Sequence, residues 1–293
     1  MQCLCGEPSH DANTCSTISA ADSKYSMELV IVLVAAEELL ERRKPRGGKV
    51  EIRRHLRRKM RDFRRHVDRF LVARRVRKKV RSEVAGDRPT WPLSSADIPV
   101  HFINLASRPD RRQQTESELQ KLGFRNVFRF EAVQRENGAL GCALSHAGLM
   151  ESLQVDAPAV MVCEDDVEFL SSPGELQAVL AEFLEDVALD VLCLAFNTRG
   201  KPKVLSERLA VTVDTATTSC YVVKATAINN LKKSFQESAE MIQGGRPIEI
   251  SALDQHWKIL QRSELLFAIP RSRMARQRAS YSDIEGNDVF YGV

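Results

Sequence analysis

No window of 18 apolar residues occurs in the chain, which excludes a helix long and apolar enough to cross a bilayer. The longest apolar run near the start, Leu29 to Ala36, is about half a membrane span. No basic stretch precedes it, so a secretory signal peptide is not expected. There is no internal repeat, which argues against a solenoid or propeller. An even set of cysteines is also missing: there are 7, and Cys142, Cys163, Cys193 and Cys220 lie in apolar stretches. That pattern fits buried free thiols in a reducing compartment and not a disulfide framework. The expected location is therefore cytoplasmic, with peripheral attachment to a membrane left open. What is present is 293 residues at 43% hydrophobic content, enough for a sizeable core in one large domain or two small ones.

The net charge of +4 conceals an uneven distribution. Residues 1–41 carry −6, residues 42–81 carry +17 and residues 82–293 carry −7. One segment thus supplies essentially all the positive field. Residues 1–24 are polar and poor in large apolar groups, and read as a disordered tail or a small metal knuckle. Within them Cys3, Cys5, His10 and Cys15 could close a tetrahedral Zn2+ site. Only one residue separates the first two cysteines, which strains such a loop, and no aromatic is interleaved for base stacking. Residues 25–83 read as a basic amphipathic helical segment. Met27 to Arg43 reads as one helix, broken by Pro45, Gly47 and Gly48. From Val50 to Arg81, Ile52, Leu56, Met60, Phe63, Val67 and Phe70 step by three or four, so they share one face opposite arginine and lysine. Residues 50–81 could lie on an anionic membrane, bind nucleic-acid phosphates, or dock their apolar stripe on a partner or on the rest of the chain. Nucleic acid is not the expected partner. Residues 84–97, with Gly86, Pro89, Pro92 and two serines, read as a linker.

From Ile98 to the end the pattern changes to alternating strands and helices. Strands are expected at Val100–Leu105, Val127–Phe130, Ala159–Cys163, Val191–Phe196 and Ser219–Val223. Helices are expected at Arg111–Leu122, Ala139–Leu153, Glu175–Phe183 and Ala225–Phe235. Alternation of this kind implies an α/β fold with a mostly parallel sheet covered on both faces. Ligands of such sheets gather at the carboxyl ends of strands.

Glu164-Asp165-Asp166 sits at such an end. Three acids cannot stay buried there uncompensated. A hard divalent cation on a diphosphate would compensate them; a solvated acidic turn is the alternative. At the end of the first strand, Asn104 precedes Arg108, Asp110 and Arg111. A helix start and two arginine forks there could hold a phosphate, or could be a solvated turn capped by Asp110. The small residues of Gly138 to His146 permit close approach to another backbone or a ligand. Ser145 and His146 are adjacent, so on a helix they do not face each other, and a nucleophilic pair is not expected.

The stretches INLASRPDRR, GALGCALSHAGL and VMVCEDDVEF, with RQRASYSDIEG near the end, resemble glycosyltransferase family 25 in content, order and spacing. That family includes bacterial lipooligosaccharide galactosyltransferases and collagen galactosyltransferases. The matches span about residues 98–286 and leave residues 1–97 uncovered. The resemblance implies a GT-A type nucleotide-sugar-binding fold, here preceded by a helical basic N-terminal extension. It implies transfer of a hexose, often galactose from UDP-galactose, with inversion, onto a glycan, lipid-linked or protein acceptor, as in lipopolysaccharide biosynthesis. It implies Mn2+ or Mg2+ at Asp165 and Asp166, and a nucleotide sugar near Asn104, Arg108, Arg111, Glu164 and Asp165. An inverting transfer also needs a base. Asp254 is the first candidate and Glu249 the second, in a region that departs from the family's usual pattern; either could instead be a helix N-terminal acid. Thr217 to Tyr221 precede a helix as an acceptor-side strand does in the family, and are equally readable as core. A reading from another class is an adaptor for membranes or nucleic acid, built on residues 1–83 and carrying an inactive transferase-like domain.

Overall fold

The computed structural model describes residues 97–153, 156–199, 201–278, 280–282 and 287–289, the last two segments by backbone alone. The candidate zinc ligands Cys3, Cys5, His10 and Cys15, the helices expected before residue 84, nearly all of the linker, and residues 283–286 of the last family-like stretch lie outside the described residues.

The first strands alternate with helices as the periodicity predicts. They are β1 (Val100–Asn104), α1 (Pro109–Lys121), β2 (Val127–Glu131), α2 (Gly138–Ser152), β3 (Ala159–Glu164), β4 (Val167–Phe169) and α3 (Pro173–Glu185). Then follow β5 (Val191–Cys193), β6 (Asn197–Thr198), β7 (Lys203–Val204), β8 (Leu209–Thr212), β9 (Thr215–Ala216) and β10 (Cys220–Lys224). A 3-10 turn leads into α4 (Ile228–Gln243), then the short helices α5 (Ile248–Ser251), α6 (Leu253–His256) and α7 (Lys258–Ser263). β11 (Phe267–Pro270), β12 (Ala275–Gln277), β13 (Ser280–Ser282) and β14 (Asn287–Val289) complete the described elements.

Eight strands form one sheet in the order β2-β1-β3-β10-β5-β11-β8-β7. β1 runs parallel to both β2 and β3, and β5 runs parallel to β11. β10 is antiparallel to β3 and β5, and β8 to β11 and β7. Six strands therefore share one direction and two, β8 and β10, oppose them, so the sheet is mostly parallel. Alternate residues of β3 and β10 feed two separate cores, as the two-residue period of a strand requires. Met161, Cys163, Cys220 and Val222 join α1 and α3 through Leu119, Leu176, Leu180 and Phe183. Val160, Val162, Tyr221 and Val223 join α2 and α4 through Ala143, Ala147, Leu231 and Phe235. Burial on both faces explains why β3 reads as an unbroken apolar run.

This arrangement positions the site. From β1 the chain crosses by α1 on one face to β2, then by α2 on the other face to β3 on the opposite side of β1. Such a reversal opens a crevice outside the carboxyl ends of the strands involved. The α2 N-terminus is anchored by Asn137, whose Oδ1 accepts the Leu140 N–H at 3.1 Å. Gly141 has to be glycine: a Cβ there would lie 2.7 Å from the Val133 carbonyl oxygen. At Gly141 the close approach allowed by this small-residue stretch is therefore to backbone. Ser145 reinforces it, donating to the Gly141 carbonyl at 2.7 Å and accepting the Val133 N–H at 2.8 Å.

Candidate active site at the carboxyl ends of β1 and β3

Each of the three acids at the carboxyl end of β3 has a different set of partners. Asp165 is buried, with one hydrogen-bond partner on each carboxylate oxygen and a lone pair left on each. Its Oδ1 accepts from Arg111 Nη1 at 3.0 Å and its Oδ2 from Asn104 Nδ2 at 2.8 Å. Thr115 donates its hydroxyl to the Asp165 carbonyl at 3.0 Å. Burial still raises the Asp165 pKa above the ordinary carboxylate value, against the lowering effect of Arg111 and Asn104. Asn104 also donates to the Arg108 carbonyl at 3.0 Å and accepts from Arg129 Nε at 2.9 Å. The end of β1, the start of α1 and the acidic turn are thus tied together through one amide.

Asp166 is equally buried, at 8% exposure, but only half satisfied. Its Oδ2 accepts from Gln277 Nε2 at 3.0 Å and lies 3.8 Å from Arg111 Nη1. Its Oδ1 is buried without a hydrogen-bond partner. Burial first, and then the charge of Glu164, push the Asp166 pKa up to about 7. Glu164 behaves in the opposite way. Burial would raise its pKa, but hydrogen bonds from His146 Nε2 at 3.2 Å and the Thr218 hydroxyl at 2.8 Å hold it below the usual value.

The triplet forms one wall of a cavity of about 280 Å3. The ends of β1 and β2 (Ile103, Leu105, Ala132), Ser107, Arg111, the segment Val133–Arg135, Gln277 and the first turns of α2 complete the lining. Cys142 and His146, one helical turn apart on α2, face it. His146 is fully buried and its Nδ1 lies 3.0 Å from the Tyr221 hydroxyl. It also contacts the Phe235 ring edge-on. Burial, with the negative charges of Glu164, Asp254 and Asp166, raises the Cys142 thiol pKa well above its usual value.

The sequence candidates separate into three groups. Glu164, Asp165, Asp166 and Arg111 line the cavity together. Asn104 lies directly behind them, bonded to Asp165. Arg108 does not line the cavity; it forks onto Asp110 through Nε at 3.2 Å and Nη2 at 3.0 Å. The start of α1 carries no side-chain cap, so Asp110 pairs with Arg108 and does not cap the helix. Asp254, in α6, accepts the Thr217 N–H at 3.1 Å and the Gln255 amide at 3.1 Å. Thr217 has a φ of 82°, a strained value for a β-branched residue, and Asp254 restrains it there. Asp254 is not in the cavity wall, but its charge acts on the Cys142 thiol. Glu249 is exposed on α5, away from the cavity lining.

In the sequence, Cys142 and Gln277 stand out only as members of family-like stretches, and Thr218 and Tyr221 as residues of an acceptor-side strand or of the core. They converge from α2, the β9–β10 segment and β12, and no local spacing reports that. The φ of Thr217 marks the approach to Thr218 but is invisible in sequence.

No family model matches the chain, and no curated protein sequence matches it. Solved structures give remote likenesses. A glycosyltransferase involved in the glycosylation of the major capsid of PBCV-1 is 10% identical, with a TM-score of 0.41, covering 64% of this chain and 96% of that one. Mouse xyloside xylosyltransferase 1 in its apo form is 11% identical, with a TM-score of 0.33, covering 66% of this chain and 79% of that one. Mannose-1-phosphate geranyltransferase from Thermus thermophilus is 10% identical, with a TM-score of 0.33, covering 63% of this chain and 60% of that one.

Proposed function

We propose that the cavity binds a nucleotide sugar with a divalent cation, and that the protein transfers a hexose to a hydroxyl of a glycan or glycoconjugate. The observation that carries this reading is Asp166: a buried carboxylate whose Oδ1 has no hydrogen-bond partner, at the carboxyl end of β3 on the cavity wall. An unsatisfied buried acceptor costs about 1–3 kcal/mol, and a cation would relieve that cost. The carboxylate oxygens of Asp166 and Asp165 are hard donors that fit Mn2+ or Mg2+. The four stretches similar to glycosyltransferase family 25 support the same reading, with a GT-A type fold, UDP-galactose as the first donor to test, and inversion as the expected stereochemistry.

The chain's own residues have separable tasks in this proposal. Asp166 and Asp165 hold the cation. Bound there, a cation would neutralise charge developing on the departing nucleoside diphosphate. Arg111, paired to Asp165 and close to Asp166, keeps two adjacent carboxylates ionisable in a buried turn. Asn104 fixes the Asp165 carboxylate plane. Glu164, held ionised by His146 and Thr218, adds a negative charge to the wall that favours cation binding. Asp254, half-buried just outside the cavity wall, is the proposed base; to take the proton from the acceptor hydroxyl as that oxygen attacks the anomeric carbon and the nucleoside diphosphate leaves, it must exchange its Gln255 contact for that hydroxyl. Glu249, exposed on α5, is the weaker candidate.

The test is a screen of UDP-sugars for Mn2+-dependent hydrolysis or transfer, comparing wild type with Asp166→Ala. The expected result is a loss of about a hundredfold or more in the variant with an unchanged circular dichroism spectrum. Full activity in Asp166→Ala removes the metal assignment.

A further inference from the structure

The cavity wall contains a second donor set of different chemistry. Cys142 Sγ, an imidazole nitrogen of His146 and a carboxylate oxygen of Glu164 all lie within 4.8 Å of one another. We infer that Cys142, His146 and Glu164 form a binding site for a thiophilic divalent cation such as Zn2+, distinct from the hard-cation site at Asp165 and Asp166 and with its open position facing the cavity.

The spacing is close to what an ion needs. Two nitrogen or oxygen ligands about 2.0–2.1 Å from a tetrahedral Zn2+ lie roughly 3.3 Å apart. His146 Nε2 and Glu164 Oε1 are already 3.2 Å apart. Cys142 precedes His146 by four residues on α2, so its thiol rises from the same helical face. Its thiol lines the cavity beside the other two donors.

The outer partners are in place as well. Metal-bound imidazoles almost always donate their second ring N–H to a fixed acceptor. The buried Tyr221 hydroxyl stands 3.0 Å from His146 Nδ1 and can either donate or accept. It therefore supports both tautomers: one in which Nε2–H donates to Glu164, and one in which Nδ1–H donates to Tyr221 and Nε2 is free to ligate. Thr218 anchors the carboxylate by donating to Glu164 Oε1 at 2.8 Å. On binding, the Cys142 S–H proton passes to water through the cavity and the sulfur–metal bond forms, with release of one proton and no redox step. A thiolate with an imidazole selects Zn2+ or Co2+ over Mg2+ or Mn2+, whereas the Asp165–Asp166 pair favours the latter. This inference does not depend on sugar transfer and could hold for a protein without that activity.

Co2+ serves as the spectroscopic probe. The parent is the reduced full-length chain with Cys3, Cys5 and Cys15 replaced by serine, which removes the thiols of the N-terminal segment. One equivalent of Co2+ should produce a thiolate-to-metal charge-transfer band in the near ultraviolet. Adding Cys142→Ser should abolish the band, and His146→Gln should weaken Co2+ affinity about tenfold or more. Excess Mg2+ should leave the band intact. Absence of the band in the parent, or its survival in Cys142→Ser, overturns the site. Should Cys142→Ser fail to fold, residue-resolved alkylation of the parent decides: Co2+ must shield Cys142, and a band without that shielding places the ion elsewhere and overturns the inference.

Discussion

Asp166 and Arg111 state the electrostatics of the site most sharply. The Asp166 pKa is raised by burial to about 7, while in the unfolded chain it returns to the ordinary carboxylate value near 3.8. Below that ordinary value both states are protonated and folding carries no penalty. Between it and about pH 7 the unfolded chain releases its proton more readily, so stability falls as pH rises. In metal-free buffer, Asp166→Asn should therefore melt above wild type at about pH 8 by an amount on the order of 1–3 kcal/mol, with the gap closing toward about pH 4. A difference that does not vary with pH would show that Asp166 does not titrate in this way. Arg111 has the opposite role. Its side chain and that of Asp165 are each 10% exposed, so Arg111→Ala leaves buried charge uncompensated. The expected loss is about 3–5 kcal/mol at neutral pH. It should be smaller in acid, where Asp165 and Asp166 can protonate, as denaturant melts at several pH values will report. The acids and Arg111 were legible in sequence because each stands next to a clear strand end or helix start. Their division of labour was not, because it is set by Asn104, Gln277 and Thr218 arriving from distant positions.

At the level of elements, α2 and the segment Ala132–Arg135 act as one unit, and Gly141 is where they meet. Replacing a helical glycine by alanine ordinarily gains up to about 1 kcal/mol from reduced backbone entropy. Here the new methyl would meet the Val133 backbone oxygen at 2.7 Å, which a flexible side chain could avoid but a tethered carbonyl cannot. Overpacking of that kind costs about 1–3 kcal/mol. Gly141→Ala should therefore lower the melting temperature, at roughly 2–4 °C per kcal/mol for a domain of this size. It should also weaken the proposed nucleotide-sugar binding, since the displaced segment lines the cavity. Equal or higher stability in thermal melts would refute the close-packing argument. α1 to α4 were readable from periodicity and stop residues, and β1, β3 and β10 from apolar runs. The expected strand Val191–Phe196 ends at Cys193, and the helix expected at Ala225–Phe235 extends to Gln243. The reversed direction of β8 and β10 left no local trace, because a strand buried on both faces has the same pattern in either direction. The two-residue strands β6, β7 and β9 are too short to show a period at all.

For the whole molecule the informative quantity is charge. Residues 1–83 carry net +10 and residues 84–293 net −6. The basic residues of the first part alternate in sequence with an apolar series at intervals of three and four, the combination that favours an anionic lipid surface. Each lysine or arginine near such a surface contributes about 1 kcal/mol, so only a few need to engage for measurable binding. The full-length chain should therefore sediment with vesicles of phosphatidylserine and phosphatidylcholine, and added salt should release it. A chain beginning at residue 84 should lose that binding and yet keep the proposed metal-dependent turnover of a nucleotide sugar, since every residue proposed for the cavity lies after Ile98. Three outcomes are informative. Loss of both properties on truncation would make the basic segment part of the folding unit. Binding that survives truncation would place the lipid contact on the acidic part and refute the electrostatic account. Binding to DNA in preference to vesicles, with no turnover in either form, would favour the adaptor reading, in which the acidic turn serves stability alone.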